Sequence, residues 1–175
     1  MTPKRHALNG LLAIPALIAL LHASILEAQD KAATSAPTNA PTFDQAADKA
    51  LQAMKKRAEE LDIKGVAVVA YAEGDTVKSW TSKMVVVGTL TSGQDQNRKG
   101  NNLLAIAYSK AAEMADTLKD SGSKVRAPML GEFGYQGGLV TKSKSGIVIV
   151  AFSGGPSEDD LKVSRAGLDV MTGNL

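Results

Sequence analysis

The sequence contains no cysteine, and its only two histidines, His6 and His22, lie close to the N-terminus. The rest of the chain therefore cannot supply a Ser-His-Asp or Cys-His nucleophile system, a His or Cys zinc site, an iron–sulfur cluster or a histidine ligand to haem. Any chemistry there must use Lys, Arg, Asp, Glu, Tyr, Ser, Thr or Met side chains. The lack of cysteine also means that an oxidising compartment would not stress the fold.

Aromatic residues and charge of one sign are scarce as well. Only 4% of the 175 residues are aromatic, and 20 basic residues are balanced by 18 acidic ones. The aromatics are too few and too scattered for a nucleic-acid stacking platform, and no block of like charge is present to wrap a polyanion. We therefore expect no nucleic-acid partner. A hydrophobic content of 44% in a chain of this length predicts one domain with its own core.

The N-terminal segment has the layout of a secretory signal peptide. Lys4 and Arg5 precede the apolar run "ALNGLLAIPALIALLHASILEA", and cleavage is expected after Ala28 or near Ala23. An uncleaved anchor is the alternative, but the run is shorter than a spanning helix needs and contains Pro15. The prediction is a signal peptide over residues 1–28, a periplasmic or secreted protein, and no membrane contact after cleavage.

The remaining chain predicts a flexible linker and one folded domain. Residues 29–41, "QDKAATSAPTNAP", are rich in Ala, Thr and Pro and predict a linker, so the domain is expected at 42–175. Thr42 and Gln45 have the spacing of a capping box before an amphipathic helix that ends before Gly65.

The order of predicted elements is α-β-β-α-β-β-α. "VAVVAYA" and "TVKSWTSKMVVVGTL" flank a turn and predict a hairpin, and residues 91–102 read as a polar loop. Asn102 is the expected cap of a second helix that ends near residues 121–122. A second hairpin, "LVTKSKSGIVIVAFS", and a last helix over residues 157–171 follow. Helices that alternate with hairpins predict an α+β fold with helices on an antiparallel sheet.

Two glycine-containing stretches invite a phosphate-binding interpretation. "GEFGYQGG" lacks the Gly-Lys-Ser/Thr ending of a P-loop and leads into a strand, so glycines at a bend explain it better. In "AFSGGPSEDD", Ser157 and Asp160 have capping-box-like spacing, and the acids that follow Ser157 suit the start of a helix. We therefore expect no nucleotide at the first stretch, and neither a phosphate nor a metal at the second.

Three charged residues are candidates for ligand contact. Lys110 lies among small residues in "AYSKAAEMA" and could be a desolvated amine, or it could be an exposed helix lysine paired with Glu113. Arg126 and Glu132 flank an apolar loop segment, where they could pair with each other or line a pocket.

Met129 and three aromatic residues are the other candidates. Met129 lies on an irregular loop, where it could face a ligand or fill the core beneath the loop. Tyr108, Phe133 and Tyr135 could stack on a flat ligand.

The C-terminal half carries a family resemblance. "QGGLV" followed by "SGIVIVAFSGGPSEDDLKVSRAGL", with "AYSKAAEMA" and "KGVAVVAYAEGD" upstream, resembles the GlcG/HbpS-like family of glycolate-operon GlcG proteins, secreted haem-binding HbpS proteins and PduO C-terminal domains. The resemblance spans roughly residues 43–171. It implies a profilin-like antiparallel sheet with flanking helices, homo-oligomers, and haem binding among secreted members. This sequence departs from members that use histidine for haem, because it has no histidine after His22.

Three functions are therefore open. The first is an exported, oligomeric protein that binds haem or a related tetrapyrrole, in which Lys110 and Arg126 hold carboxylates, Tyr135 or Met129 faces the ring or metal, and Glu132 orients Arg126. The second is an enzyme that acts on a small hydroxy or oxo acid with Lys110 and Glu132 as acid–base groups. The third is a structural oligomer without ligand. The predicted ligand-binding set is Tyr108, Lys110, Arg126, Met129, Glu132 and Tyr135.

Overall fold

The computed structural model describes residues 42–174, apart from the side chains of Gln94 and Arg98. The predicted signal peptide and linker lie outside the described residues. The described elements are α1 (Phe43–Glu60), β1 (Gly65–Glu73), β2 (Thr81–Val87), β3 (Thr91–Asp95), β4 (Arg98–Asn102), α2 (Leu103–Thr117), β5 (Gly138–Lys142), β6 (Gly146–Ser153) and α3 (Ser157–Thr172).

Four strands form an antiparallel sheet in the order β2-β1-β6-β5. The two central strands are buried over almost their whole length, because helices cover both faces of the sheet. Such strands have apolar residues on both faces, which explains the near-continuous apolar runs of β1 and β6. The α+β prediction is confirmed.

The core has one part on each face of the sheet. Helices α1 and α3 pack with Val69, Val150 and Phe152 on one face. Helix α2 packs against Ile149 and Ala151 on the other face. Side chains of β6 therefore alternate between the two helical layers, as strand geometry requires. Ser153, at the end of the strand, belongs to the same face as Ala151.

The predicted N-caps of α1 and α2 are confirmed, and that of α3 is wrong. Thr42 and Gln45 form the expected capping box, and the Asn102 side chain accepts the Ala105 N–H at 3.0 Å. The capping-box prediction for α3 is wrong: Pro156 is the N-cap residue, and the Asp160 side chain is buried instead. Helix α2 also ends earlier than the predicted residues 121–122. Its last residue is Thr117, because Leu118 adopts a left-handed conformation with φ 51°.

The expected polar loop at residues 91–102 is a two-stranded hairpin. Strands β3 and β4 pair from Thr91–Asn102 to Asp95–Arg98 and form a separate small sheet. Both strands are polar throughout, so they lack the alternation of apolar and polar residues that marks a strand in a sequence. The hairpin leads directly into α2.

Candidate functional site

Arg126 is at the centre of a three-residue ionic cluster, which we call the Arg126 cluster. Its guanidinium donates from Nε and Nη2 to Asp116 Oδ2 at 2.9 and 2.8 Å, and from Nη1 and Nη2 to Glu132 at 2.6 and 2.8 Å. Nη1 also donates to the Ala127 carbonyl at 3.0 Å. An arginine side chain has five N–H donors, and all five are used here. Arg126 therefore joins the loop to α2 and has no donor left for a ligand carboxylate.

Glu132 is equally committed to this cluster. Its side chain is 7% exposed, and besides Arg126 it accepts the Met129 backbone N–H at 2.8 Å. The Arg126 hydrogen bonds, followed by the Met129 amide, lower the pKa of Glu132 to about 2. A carboxyl group with this pKa is ionised at neutral pH and is a poor proton acceptor or donor there.

The loop held by this cluster exposes large apolar side chains, which we call the apolar loop surface. Its members are solvent-exposed by 57% (Val125), 52% (Met129), 107% (Leu130), 49% (Phe133) and 52% (Tyr135). The rings of Phe133 and Tyr135 stack with centroids 5.6 Å apart, and the Phe133 N–H donates to Ser109 Oγ of α2 at 3.1 Å. Large apolar side chains that are exposed together on one loop often mark a binding surface.

Lys110 and Asp160 form a buried ion pair between the two helical layers. Lys110 Nζ donates to Asp160 Oδ2 and to the Phe152 carbonyl, both at 2.7 Å. The two side chains are only 3% and 5% exposed. Asp160 Oδ1 in turn accepts the Gly155 N–H at 2.9 Å. The pair connects α2 to α3 past the end of β6.

Burial opposes the charges of this pair. Desolvation lowers the pKa of Lys110 and raises the pKa of Asp160, while their mutual attraction acts against both shifts. Gly137 makes room for the ammonium group: a Cβ on it would lie 2.4 Å from Lys110 Nζ and 2.7 Å from Asp160 Cβ. Buried ionisable groups with shifted pKa values occur more often at functional sites than elsewhere.

The ion pair forms the floor of a small cleft of about 150 Å³. The walls come from the β3–β4 hairpin, the first turns of α2, the loop before β5 and the turn between β6 and α3. Its lining includes the side chains of Asn101, Tyr135, Gln136, Ser153 and Ser157. We call this space the polar cleft. It is lined mainly by groups that can form hydrogen bonds.

A larger and more open cavity of about 640 Å³ lies between α1, α3 and the start of β5. Arg57, Lys162 and Arg165 lie along it, together with Asp120 and Asp169. Arg57 and Lys162 are already paired with Glu60 and Asp159. None of the sequence-predicted site residues lines this groove.

Comparison with solved structures identifies the fold. Protein ORFY of Klebsiella pneumoniae, a member of family DUF336, aligns with a TM-score of 0.51 and 17% identity over 79% of this chain and 95% of that chain. The chain has the GlcG/HbpS-like fold. HbpS aligns at 0.41 with 19% identity over 78% of this chain and 93% of the other, and a double mutant of Streptomyces reticuli HbpS at 0.40 with 19% identity over 79% and 98%.

Sequence comparison adds no relative: no family model matches the chain, and no curated protein is significantly similar to it. An identity of 17% to a GlcG/HbpS-like structure shows a shared fold. It does not transfer a ligand, because one fold supports many binding functions.

On this fold, the six predicted residues separate into three places. Lys110 and Tyr135 both line the polar cleft, whereas Arg126, Glu132 and Met129 belong to the loop around the Arg126 cluster. Tyr108 faces β2, where its hydroxyl is 3.2 Å from Ser82 Oγ and its ring contacts Trp80. Positions 108 and 110 are about 200° apart around a helix with 3.6 residues per turn, so they cannot share a face.

Several of the alternative interpretations are now decided. Lys110 is buried and pairs with Asp160, so the exposed lysine paired with Glu113 is wrong; Glu113 is itself buried and accepts the Gly122 N–H at 3.0 Å. Arg126 and Glu132 do pair with each other. Met129 is half exposed and does not fill the core. The predicted role of Arg126 in holding a ligand carboxylate conflicts with its fully used donors.

Sequence reasoning missed Asp160, although a signal was present. Val163, Ser164, Gly167 and Leu168 follow it at helical spacing and are all buried, so Asp160 lies on the core face of α3. An acid on a core face needs a buried partner. The sequence does not indicate a role for Asn101, because it lies in a polar segment that is predicted to be a loop.

Two features are absent from the described part of the chain. Between residues 42 and 174, no helix has the length and hydropathy needed to cross a membrane. In the same range, no group of three or more metal-ligating side chains is placed to hold an ion.

Proposed function

We propose that this is an exported ligand-binding protein and that its apolar loop surface takes a flat, largely apolar ligand, namely haem or a related tetrapyrrole. The observation that carries the proposal is the exposure of Met129, Leu130, Phe133 and Tyr135 on a loop that is fixed to α2. A fixed loop loses little conformational freedom on binding, which favours affinity.

The fit to a tetrapyrrole is good for the ring and poor for its carboxylates. The polar cleft, at about 150 Å³, is too small for a macrocycle, whereas the loop offers two stacked aromatic rings and a neighbouring leucine. The Met129 thioether and the Tyr135 hydroxyl are the groups on this surface that would ligate the iron. Arg126 is saturated, so the propionates would remain in solvent. Bound haem would supply iron-centred redox and ligand-binding chemistry.

Export and self-association belong to the same proposal. The basic and apolar N-terminal pattern supports export, and a chain without cysteine is compatible with an oxidising compartment. An apolar loop left open on one subunit supports a homo-oligomer in which a second copy covers the ligand's other face. Export is tested by fractionating cells and sequencing the mature N-terminus; a protein that starts at residue 1 in the cytoplasm would contradict it.

The enzyme alternative receives no support from the geometry. Its two proposed acid–base groups are in different places: Lys110 lies on the floor of the polar cleft, and Glu132 is held by Arg126 with a pKa of about 2. A general base should have a pKa near the working pH, and its proton must be within hydrogen-bond reach.

Hemin titration followed in the Soret region tests the proposal. We expect saturable binding that weakens by about tenfold or more in Leu130→Asp, because a buried leucine contributes about 1.5–3 kcal/mol. Tyr135→Phe or Met129→Leu should shift the Soret band if that side chain ligates the iron.

Arg165→Ala, in the 640 Å³ groove, is the matched control and should bind hemin like the wild type. Non-saturating adsorption would overturn the proposal and leave a structural oligomer without ligand. Loss of binding in Arg165→Ala, with Leu130→Asp unaffected, would move the site to the groove.

A further inference from the structure

We propose that the polar cleft is a second binding site, and that it takes a small neutral polyol of about six non-hydrogen atoms. The size follows from the volume of about 150 Å³, since a cavity of this volume accepts a molecule the size of benzene. The cleft adjoins the apolar loop surface, since Tyr135 belongs to both, but the proposal does not depend on the proposed haem function.

Ser153 presents a hydroxyl group to the polar cleft. The residue is 4% exposed and lines the cleft, and its Oγ has no hydrogen-bond partner among the residues that the structure describes. Because no buried side-chain oxygen of those residues lacks a partner, this Oγ is open to solvent in the cleft. Ser153 lies one residue after Phe152, whose side chain faces α1 and α3, so its own side chain faces α2 and the cleft. A ligand hydroxyl group in the cleft can therefore form a hydrogen bond with this oxygen.

The floor of the cleft has unused hydrogen-bonding capacity. Lys110 has three N–H donors, and the described chain supplies two acceptors, Asp160 and the Phe152 carbonyl. Each oxygen of the Asp160 carboxylate can accept a further hydrogen bond. A hydroxyl group can accept from the ammonium and donate to the carboxylate at once.

The balance of charge in the cleft favours a neutral ligand. Lys110 and Asp160 compensate each other, so the floor carries no net charge when both are ionised. A charged ligand would add an uncompensated charge beside this buried pair, which is unfavourable. The walls are likewise neutral: Asn101, Gln136 and Ser157 both donate and accept, and the Tyr135 ring offers an apolar face to C–H groups. Neutral hydroxyl groups on a short carbon chain match all of these features.

The test compares glycerol with lactate, which have the same number of non-hydrogen atoms but differ in charge. Amide signals of Gly137, Gly154 and Gly155 are followed by NMR during each titration, without hemin. We expect saturable shifts with glycerol at millimolar concentration and at least tenfold weaker binding of lactate.

Ser153→Val removes the hydroxyl group, retains the ion pair, and should reduce glycerol affinity by at least tenfold. Ser79→Val, at an exposed serine, is the matched control and should bind like the wild type. Shifts that never saturate, equal binding by Ser153→Val, or tighter binding of lactate would each overturn the proposal. None of these results bears on hemin binding at the loop.

Discussion

The Lys110–Asp160 pair has a larger structural role than any surface ion pair of this protein. Both charges are removed from water, so each depends on the other for compensation. The same pair forms the floor of the polar cleft and fixes the position of the Gly154–Gly155 turn through the Gly155 amide. Substitutions at Lys110 or Asp160 should therefore lower the free energy of unfolding.

Lys110→Met should destabilise the protein by about 3–5 kcal/mol, because it leaves the Asp160 carboxylate buried without a partner. The double variant Lys110→Met with Asp160→Asn should lose less, since no charge is left unpaired. Urea denaturation measures both. Lys142→Met, at an exposed pair with Asp75, is the control and should change stability by about 0.5 kcal/mol or less. Equal losses at the two lysines would contradict this interpretation.

Gly137→Ala should be more harmful than Gly131→Ala. Both glycines have positive φ, 123° and 94°, but only the Gly137 Cβ would collide with Lys110 Nζ; Gly131 has nothing within 4 Å. We expect backbone strain of about 1–3 kcal/mol in each variant, with a further loss in Gly137→Ala as the ion pair is displaced. Thermal unfolding checks the order, and the reverse order would be inconsistent with the geometry.

Glu132 should give the protein a measurable acid sensitivity. Its pKa is lowered from the ordinary 4.5 to about 2, so between these values the unfolded chain binds more protons than the folded one. The stabilisation is complete above about 4.5 and is lost as the pH falls towards 2. Unfolding midpoints measured across this range should depend less on pH in Glu132→Gln. An unchanged pH dependence in that variant would argue against the Arg126 cluster.

At the scale of elements, the main helices and strands were predictable because their apolar residues recur at helical or strand spacing. The β3–β4 hairpin was not, since its stability comes from backbone pairing of polar residues, which leaves no hydrophobic pattern. The site was predictable only in part. Lys110 and Tyr135 do meet in one cleft, but Asp160 comes from α3, 50 residues after Lys110, and no local pattern shows that pairing.

The loop of residues 125–135 has no regular secondary structure and should depend on Arg126 for its order. Arg126→Gln removes the bonds to Asp116 and Glu132, so chymotrypsin should cleave the loop at Phe133 or Tyr135 several times faster. Arg165→Gln, on α3, is the matched control and should be cleaved like the wild type. Equal cleavage of all three proteins would mean that the cluster does not order the loop.

For the whole molecule, the fold is that of GlcG/HbpS-like proteins, while export, ligand and assembly are proposals. Sedimentation equilibrium of the purified protein should give a mass above the 18.2 kDa calculated for the full chain. Leu130→Asp should shift the equilibrium towards smaller species, because it places a charge in the apolar loop surface. A monomer in both cases would contradict the oligomer, but not ligand binding by one subunit.

Paramagnetic NMR tests the location of the ligand most directly. Ferric hemin broadens the amide signals of residues close to the iron, so the spectrum maps the site without any mutation. The proposal predicts that Leu130, Gly131 and Gly134 lose intensity at stoichiometric hemin, while α1, on the opposite face of the sheet, keeps its signals. Broadening centred on the groove between α1 and α3, or spread evenly over the protein, would contradict it.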